Sequence, residues 1–287
     1  MKVLSLCSGY GGLELALGAL FPDDVNTTAV CDNYGPARRI LNTRFPGAAV
    51  YSDVHDPLIE LETAEVVTFG FPCQDLSRAG HGAGLQGSRS GLFFRCVEVG
   101  DASGAHTLVI ENVPQALRYR ETIDAELGRY GFSARWGRAR AEEVGLPHRR
   151  DRVFIVASRD GGGLPAVADA PAIRRATELL PTPTVVDMGW GRPEAEWEAW
   201  REAQRRKHSN GNGHGQSLFQ ALGRLSPADT CLRMEEMMGL PRGWVTDLGA
   251  SIAAQRRLLG NGVAPAQGSL GVYRAITNQT SDYPEKP

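Results

Sequence analysis

The sequence predicts an α/β protein whose parallel sheet is covered by helices on both faces. Over the first 160 residues, short apolar runs of strand-forming residues alternate with helix-like segments, which is the pattern of such a sheet. The 34 glycines fall beside these runs and at turns, where tight backbone geometry needs them. At 287 residues the chain has room for about two domains of ~150 residues each.

The apolar and amphipathic segments give the following elements. Strands are predicted near 2–7, 27–31, 48–51, 65–70, 107–111 and 151–157, and helices over 11–20, 34–44, 92–102 and 121–130. Beyond residue 160 a Gly- and Pro-rich linker leads to a helix over 193–207, which Pro193 opens. Four of the five tryptophans lie in this later region, which predicts a small core of its own; an irregular appendage is the alternative.

Composition excludes several classes of protein. The 31 basic residues nearly balance the 33 acidic ones, so any nucleic acid has to be held by a local face. No apolar run reaches the ~18 residues of a membrane span, which predicts a soluble, cytoplasmic protein. The five cysteines form no CxxC pair and no His cluster accompanies them, so neither a disulfide framework nor a metal site is indicated.

A glycine turn follows the first predicted strand, at residues 8–12 (SGYGG). Asp32 ends the next strand, twenty residues after Gly12, where a carboxylate can accept both ribose hydroxyls of a nucleoside. Asp53 follows the third strand at the same edge. Two acids would repel a pyrophosphate, so a nucleoside cofactor without phosphate is favoured. A purely structural turn is the alternative.

Two reactive side chains follow the next strands. The fourth strand ends in Gly-Phe-Pro-Cys, which places Cys73 at the carboxyl edge, where open α/β sheets bind ligands. The fifth strand ends at Glu111. A cysteine nucleophile with a neighbouring acid is a usable catalytic pair, although a cysteine taken alone is more often a small buried apolar residue.

The motifs GYGG, GFPCQ, ENV, HRRDR and GNGVAP occur in the order found in cytosine-5 DNA methyltransferases, and the chain resembles that family over most of 1–159 and about 231–268. The resemblance implies S-adenosyl-L-methionine as methyl donor, a cytosine flipped out of the duplex, and a Rossmann-like S-adenosylmethionine-dependent catalytic domain with a smaller target-recognition domain. The GNGVAP motif returns to the glycine turn. The catalytic domain is therefore expected to comprise 1–159 plus 250–287, and the target-recognition domain 160–249.

The resemblance also assigns catalytic roles. Cys73 matches the thiolate that adds to carbon 6 of cytosine, and Glu111 matches the glutamate that hydrogen-bonds ring N3 and the exocyclic amine. Arg152 matches the arginine that contacts the cytosine O2, and positive charge there favours the thiolate. A solvated arginine cluster is the alternative. The expected catalytic residues are Pro72, Cys73, Glu111, Asn112, Arg150 and Arg152.

The cofactor is expected to contact the ends of the first three strands and the GNG motif. Cys7 stands where the family usually has a phenylalanine against the adenine, which puts cofactor affinity in doubt. Glu14 resembles a helix residue near the cofactor's amino group, with a solvated helix glutamate as the alternative. The expected cofactor residues are Ser8, Gly9, Gly11, Gly12, Asp32, Asp53, Val54 and Asn261.

DNA is expected to contact two segments. Residues 74–95 match the family's lid over the flipped base, and the Asn- and Gly-rich tip at 207–216 is expected to read flanking bases. An ordinary surface loop at the tip, with reading through the lid or through 174–192, is the alternative. The expected DNA-binding residues are Gln74, Ser77, Arg78, Arg89, Arg205, Arg206, Asn210, Asn212 and Gln216.

The function expected from these observations is methyl transfer to carbon 5 of cytosine in double-stranded DNA, by a monomer with no membrane and no metal partner. It would be either a modification enzyme with a cognate restriction endonuclease or a solitary enzyme of a bacterium or phage. The alternatives are a tRNA-directed relative, whose Cys-Phe-Thr motif is lacking here, and an inactive DNA-binding relative.

Overall fold

The computed structural model describes residues 1–71, 91–159, 163–167, 169–185, 193–208 and 217–279. Within these residues, seven strands form one sheet in the order β3-β2-β1-β4-β5-β7-β6. The strands are β1 Lys2–Leu6, β2 Asn26–Cys31, β3 Ala49–Tyr51, β4 Val66–Gly70, β5 Thr107–Asn112, β6 Ser133–Arg140 and β7 Asp151–Ser158.

Helices connect and cover these strands. They are α1 Gly12–Leu20, α2 Gly35–Arg44, α3 Gly91–Ala102, α4 Arg120–Arg129, α5 Glu194–His208, α6 Leu218–Ala221, α7 Pro227–Met237, α8 Ile252–Asn261 and α9 Pro265–Thr277. Short 3₁₀ helices span Pro57–Leu61, Pro114–Tyr119 and Ala141–Glu143. The segment expected as a lid, 74–95, overlaps the start of α3, so its last five residues are helical.

The centre of the sheet is buried, and most of its residues are apolar. β4 and β5 carry buried side chains at nearly every position, as expected for strands covered on both faces. One core cluster packs α3 and α4 against the sheet, through residues such as Val97 and Leu127. A second cluster packs α1 and α9 against the opposite face, through residues such as Leu17 and Leu270. Helices therefore cover both faces, as the sequence predicts.

The six predicted strands are confirmed, but the prediction of an all-parallel sheet is wrong at one edge. β7 pairs antiparallel with β5 and with β6. β6 was not predicted because its sequence, SARWGRAR, is rich in arginine and has no apolar run. It lies at the edge of the sheet under α9. A Cβ at Gly137 would stand only 2.1 Å from the Gly271 carbonyl oxygen, so glycine is needed there.

The region predicted as a second domain makes extensive contacts with the first. Arg174 N donates to Glu143 O at 2.8 Å, and Leu180 N donates to Pro147 O at 2.7 Å. A third core cluster combines Tyr10 and Ile40 with side chains of α7 and α8. In α5, Trp197 and Trp200 stack at 5.0 Å between ring centroids. The domain division at 160 and 249 stays a prediction, and these contacts show that its flanks share the catalytic core.

The described residues contain neither a candidate membrane helix nor a candidate metal site. None of the helices there combines the length and apolarity that a membrane crossing requires. The same part of the chain holds no group of three or more His, Cys, Asp and Glu side chains arranged to bind a metal ion.

Candidate active site

A cavity of about 940 Å³ opens at the carboxyl ends of β1, β2, β4 and β5. Parallel strands bring their carboxyl ends to one edge, which is why residues far apart in sequence meet there. Most of the residues expected to bind cofactor or to act in catalysis line it. Those that do so are Ser8, Gly9, Gly12, Asp32, Asp53, Val54, Glu111, Asn112, Arg152 and Asn261.

The glycine turn is held against the end of β2 and against the GNG motif. Gly9 N donates to Asp32 Oδ2 at 2.8 Å, and the Ser8 hydroxyl donates to Cys31 O at 3.2 Å. A Cβ at Gly12 would stand 2.3 Å from the Val263 carbonyl oxygen, so glycine lets the late motif approach the turn. Gly11 is not among the residues lining the cavity; it caps α1 with φ 85°, a conformation that favours glycine.

Asp32 is a partly buried acceptor at the end of β2. Its two carboxylate oxygens accept from Gly9 N and from Tyr34 N, each at 2.8 Å. Burial raises the pKa of Asp32, and these backbone hydrogen bonds oppose the rise. Each carboxylate oxygen can still accept another donor. Asp53 is exposed and accepts from His55 N at 2.9 Å.

Glu14 is buried, which corrects the alternative of a solvated helix glutamate. It is 3% exposed and lines the cavity. Thr68 Oγ1 donates to Glu14 Oε1, whereas Glu14 Oε2 has no hydrogen-bond partner within the described residues. Burial raises the pKa of Glu14, and hydrogen bonds from Thr68 and Ser5 oppose that rise. An unpartnered buried oxygen at a cavity wall is available to a ligand's donor.

Glu111 and Arg152 form an ion pair in the cavity, with Arg152 Nε 2.7 Å from Glu111 Oε1. The contact is not aligned as a hydrogen bond, and no described residue supplies one to Oε1. Arg152 is near the start of β7, and the antiparallel direction of that strand places its start beside the end of β5. Glu111 is only 8% exposed, so few water molecules contact it. A ligand in the cavity would displace little water on binding to this carboxyl group.

Asn112 positions the chain just before the expected nucleophile. Its Nδ2 donates to Phe71 O at 3.1 Å, and its Oδ1 accepts from Val113 N at 2.8 Å. The Phe71 ring packs against Phe93 with ring centroids 5.0 Å apart. The backbone that leads into the Pro-Cys motif is therefore fixed by one buried amide and an aromatic contact.

Arg150 lies behind the cavity and contacts the GNG motif. It is 3% exposed, and its guanidinium donates to Gly260 O at 3.0 Å and to Gly262 O at 2.6 Å. Burial lowers the pKa of Arg150 to about 10, and the neighbouring Arg152 charge adds to the effect. His148 is fully buried and bonded to Met237 O at 2.9 Å, and burial lowers its pKa to about 4. The two hydrogen bonds of Arg150 therefore hold the backbone on either side of Asn261.

Several expected site residues lie outside the described part of the chain. These are Pro72, Cys73, Gln74, Ser77, Arg78, Arg89, Asn210, Asn212 and Gln216. Arg205 and Arg206 lie on the exposed face of α5, where both form ion pairs with Glu202.

Tyr34 and Arg257 are among the residues of the cavity wall that sequence reasoning missed. The Arg257 guanidinium lies 4.2 Å from the centre of the Tyr34 ring, and its charge also acts on Asp32. Arg257 comes from α8, more than 200 residues after Tyr34, and no local motif marks it. Only folding brings the two together.

The family profile of C-5 cytosine-specific DNA methylases matches residues 1–172. Type II methyltransferase M2.BsuMI of Bacillus subtilis is 39% identical over 170 residues, which cover 55% of this chain but only 42% of that protein. M.NlaX of Neisseria lactamica is 27% identical over 77% of this chain and 72% of its own length.

Solved structures share the fold at low identity. DNMT2 of Spodoptera frugiperda, crystallised as a mutant, has a TM-score of 0.65 at 16% identity, covering 96% of this chain and 99% of its own. The Entamoeba histolytica methyltransferase EhMeth has a TM-score of 0.66 at 14% identity, covering 98% and 99%. These likenesses concern the fold alone. With the profile matched over residues 1–172 of 287 and its motifs gathered around one cavity, the chain belongs to the C-5 cytosine-specific DNA methylase family.

Proposed function

We propose that this chain transfers a methyl group from S-adenosyl-L-methionine to carbon 5 of cytosine in double-stranded DNA. The observation that carries the proposal is one cavity with nucleoside acceptors at β2 and an acid paired with an arginine at β5. The carboxyl ends of β2 and β5 are three strand spacings apart, or about 14 Å. This distance suits an adenosine bound at the β2 end and a reacting base at the β5 end.

The cavity suits this cofactor in its donors and acceptors. We propose that Asp32 accepts the ribose hydroxyls, Asp53 the adenine amine and the unpartnered Glu14 oxygen the ammonium group; all three residues line the cavity, which supports these roles. When bound, S-adenosylmethionine supplies an electrophilic methyl group on a sulfonium. Gly12 of the glycine turn packs so closely against Val263 of the GNGVAP motif that a side chain at position 12 would not fit between them.

The chain's own groups then activate the base. The Cys73 thiolate adds to carbon 6, and Glu111 gives a proton to ring N3, so that carbon 5 becomes nucleophilic. After methyl transfer, the carbon-5 proton is lost to solvent, the thiolate is eliminated, and the N3 proton returns to Glu111, which restores the ring. Arg152 pairs with Glu111, and its positive charge is proposed to favour the Cys73 thiolate. Asn112 fixes the backbone at Phe71, two residues before Cys73. Arg150 acts through the backbone of the GNG motif.

Expression in a host without this methylation, followed by sequencing of its DNA for 5-methylcytosine, tests the function as a whole. We expect 5-methylcytosine at one short sequence context. Parallel assay of purified DNA and tRNA separates the tRNA-directed alternative, which methyl transfer to tRNA alone would favour. The lack of any transfer, with cofactor binding intact, would favour the inactive DNA-binding relative.

Replacing Asp32 is expected to weaken binding of S-adenosylhomocysteine by about ten- to a hundred-fold, because a ligand hydroxyl loses a charged acceptor worth ~1.5–3 kcal/mol. Calorimetry on Asp32→Asn and Asp32→Ala measures the loss. Asp32→Asn keeps one oxygen that can accept from Gly9 N of the glycine turn, so it separates lost ligand contact from a disturbed turn.

Asp56→Asn is the matched control, since Asp56 accepts from Leu58 N at 3.0 Å and does not line the cavity. It should bind the ligand with wild-type affinity. Wild-type affinity in Asp32→Ala would instead mean that the acid only supports the turn.

The target-reading unit is proposed to lie within 160–249, with its base contacts at the tip 207–216. The contacts of 174–180 and of α7 with the catalytic core favour a unit confined to about 186–216. Asn and Gln side chains pair with adenine edges, and Arg205 and Arg206 on the preceding helix can reach guanine or phosphate.

Alanine at Asn210, Asn212 or Gln216 is expected to relax target specificity at one base position by ~1–3 kcal/mol. Methylation profiling over a randomised target library measures this, with Asn42→Ala as an amide control on exposed α2. A phosphate contact would instead weaken all targets alike. Unchanged motif and rate in all three variants would exclude the tip and favour reading through 74–95 or 174–192.

Three further proposals concern the cellular location, the partner and the oligomeric state of the enzyme. As a relative of Type II methyltransferases, it is proposed to act in a bacterial or phage-infected cytoplasm, either with a cognate restriction endonuclease or alone. It is proposed to act as a monomer, since described residues of a single chain supply both Asp32 and the Glu111–Arg152 pair.

A further inference from the structure

The glycine turn at residues 8–12 is a segment whose backbone needs contacts from outside to keep one shape. Gly9 and Gly11 have φ 59° and 85°, in the left-handed region, and glycine loses more conformational freedom on ordering than any other residue. Within the turn, Gly11 N donates to Ser8 O at 2.8 Å. Tyr10 lies between the two glycines, so the contacts that Tyr10 makes help to fix the shape of the turn.

Tyr10 is held by two segments that are distant in sequence. Its hydroxyl donates to Val263 O at 2.7 Å, and its carbonyl oxygen accepts from Trp244 Nε1 at 2.8 Å. The first bond comes from the GNGVAP motif, which was expected to return to the turn. The second comes from the region expected as the target-recognition domain, 160–249, to which the sequence assigned no part in cofactor binding.

Trp244 is itself fixed from two sides. Arg44, at the end of α2, donates from Nε to Trp244 O at 3.1 Å, and its guanidinium lies over the Trp244 ring, 5.0 Å from the ring centre. Glu235 of α7, only 1% exposed, accepts from Gly243 N and from Val245 N, each at 2.6 Å. The backbone on both sides of Trp244 is therefore held, and the direction of its indole N–H is set toward the glycine turn.

We propose that Trp244 is a positioning residue for the cofactor: its indole N–H keeps the Tyr10 carbonyl, and with it the glycine turn, in the conformation that receives S-adenosylmethionine. Ser8 and Gly9 of the turn line the cavity, so a turn that leaves this conformation deforms the cavity wall. The apparent affinity of a ligand falls with the fraction of chains in the competent conformation. Trp244 is not among the described residues that line the cavity, so its effect passes through the turn.

The contact between Trp244 and Tyr10 does not depend on the proposed function, whereas its effect on the cofactor rests on it. Trp244→Phe in the full chain tests that effect, since it removes the N–H and keeps an aromatic ring beside Arg44. In calorimetry, we expect S-adenosylhomocysteine to bind about two- to tenfold more weakly, the range for the loss of one neutral hydrogen bond.

The kinetics of methyl transfer to duplex DNA separate positioning from general damage. In Trp244→Phe, KM for S-adenosylmethionine should rise by the same factor as the dissociation constant, while kcat stays near the wild-type value, because bound cofactor restores the turn. A lower kcat with unchanged KM would mean a purely structural role and would overturn the proposal.

Trp136→Phe is the matched control. The Trp136 indole also donates a hydrogen bond, to Asp124 Oδ1 at 2.8 Å, and also lies beside an arginine, with the Arg120 guanidinium 5.5 Å from the ring centre. It belongs to β6 and is not among the described residues that line the cavity. This variant should bind S-adenosylhomocysteine as the wild-type chain does. Equal affinity in the two variants would contradict the role of Trp244.

Hydrogen exchange gives a readout that does not need the variant to fold. Because linkage is reciprocal, S-adenosylhomocysteine bound to the wild-type chain should slow amide exchange in 243–246 as well as in 8–12. Unchanged exchange in 243–246 would overturn the proposal. In Trp244→Phe without ligand, the amides of 8–12 should exchange faster than in the wild-type chain. Faster exchange there, in a protein whose wild-type form transfers no methyl group, would count against the proposed function alone.

Discussion

Cys73→Ala is expected to abolish methyl transfer while leaving S-adenosylhomocysteine and DNA binding intact. Without the thiol, no group adds to carbon 6 and carbon 5 stays unreactive, so the rate should fall by about 10⁴- to 10⁶-fold, the range seen when a nucleophile or its base is removed. Transfer of a labelled methyl group to duplex DNA, under single-turnover conditions, measures the loss.

Duplex carrying 5-fluorocytosine gives a second, independent readout. Fluorine at carbon 5 blocks the elimination that releases the enzyme, so the wild-type chain should be trapped covalently and Cys73→Ala should not. Cys231→Ala is the matched control, because Cys231 is fully buried and belongs to the core cluster around α7 and α8. An adduct mapped to Cys7 or to any other cysteine would contradict the assignment.

Glu111→Gln is expected to lower the single-turnover rate by about 10²- to 10⁴-fold, the range typical of general acid catalysis. Gln keeps the shape of the side chain but cannot give a proton to ring N3, so carbon 6 is less open to attack. Binding of S-adenosylhomocysteine should change little, because Glu111 lies at the β5 end of the cavity, three strands from Asp32.

Glu126→Gln provides the control for this prediction. Glu126 is similarly buried, at 9% exposed, but pairs with Arg129 on α4 and does not line the cavity. Its substitution should leave the rate unchanged. A Glu111→Gln chain that turns over at nearly the wild-type rate would remove Glu111 from the reaction and leave only its ion pair with Arg152.

Most of the cavity could be predicted from the sequence because its groups stand at the ends of parallel strands. The glycine turn, Asp32, Asp53 and Glu111 each follow an apolar run, and in parallel strands such positions meet at one edge whatever the details of packing. The boundaries of the six predicted strands were also within one or two residues of the observed ones, because mostly buried strands contain runs of apolar residues.

The position of Arg152 in the cavity could not be predicted from the local sequence pattern alone. In an all-parallel sheet, the start of a strand over 151–157 would lie at the edge opposite Glu111. Because β7 runs antiparallel between β5 and β6, its first residues instead reach the cavity, and only the motif order in the sequence pointed to that placement. The direction of β7 depends on β6, an arginine-rich edge strand that carries no apolar signal.

By itself, the sequence determined the family, the apolar strands and the order of chemical groups along the sheet edge, since each of these is encoded by residues close together in the chain. Only the tertiary structure decided which groups touch: Arg257 over Tyr34, Arg150 on the GNG backbone, and Arg152 beside Glu111. The physical reason is that these contacts depend on side-chain direction and helix packing between distant segments, and neither leaves a periodic or local trace in the sequence.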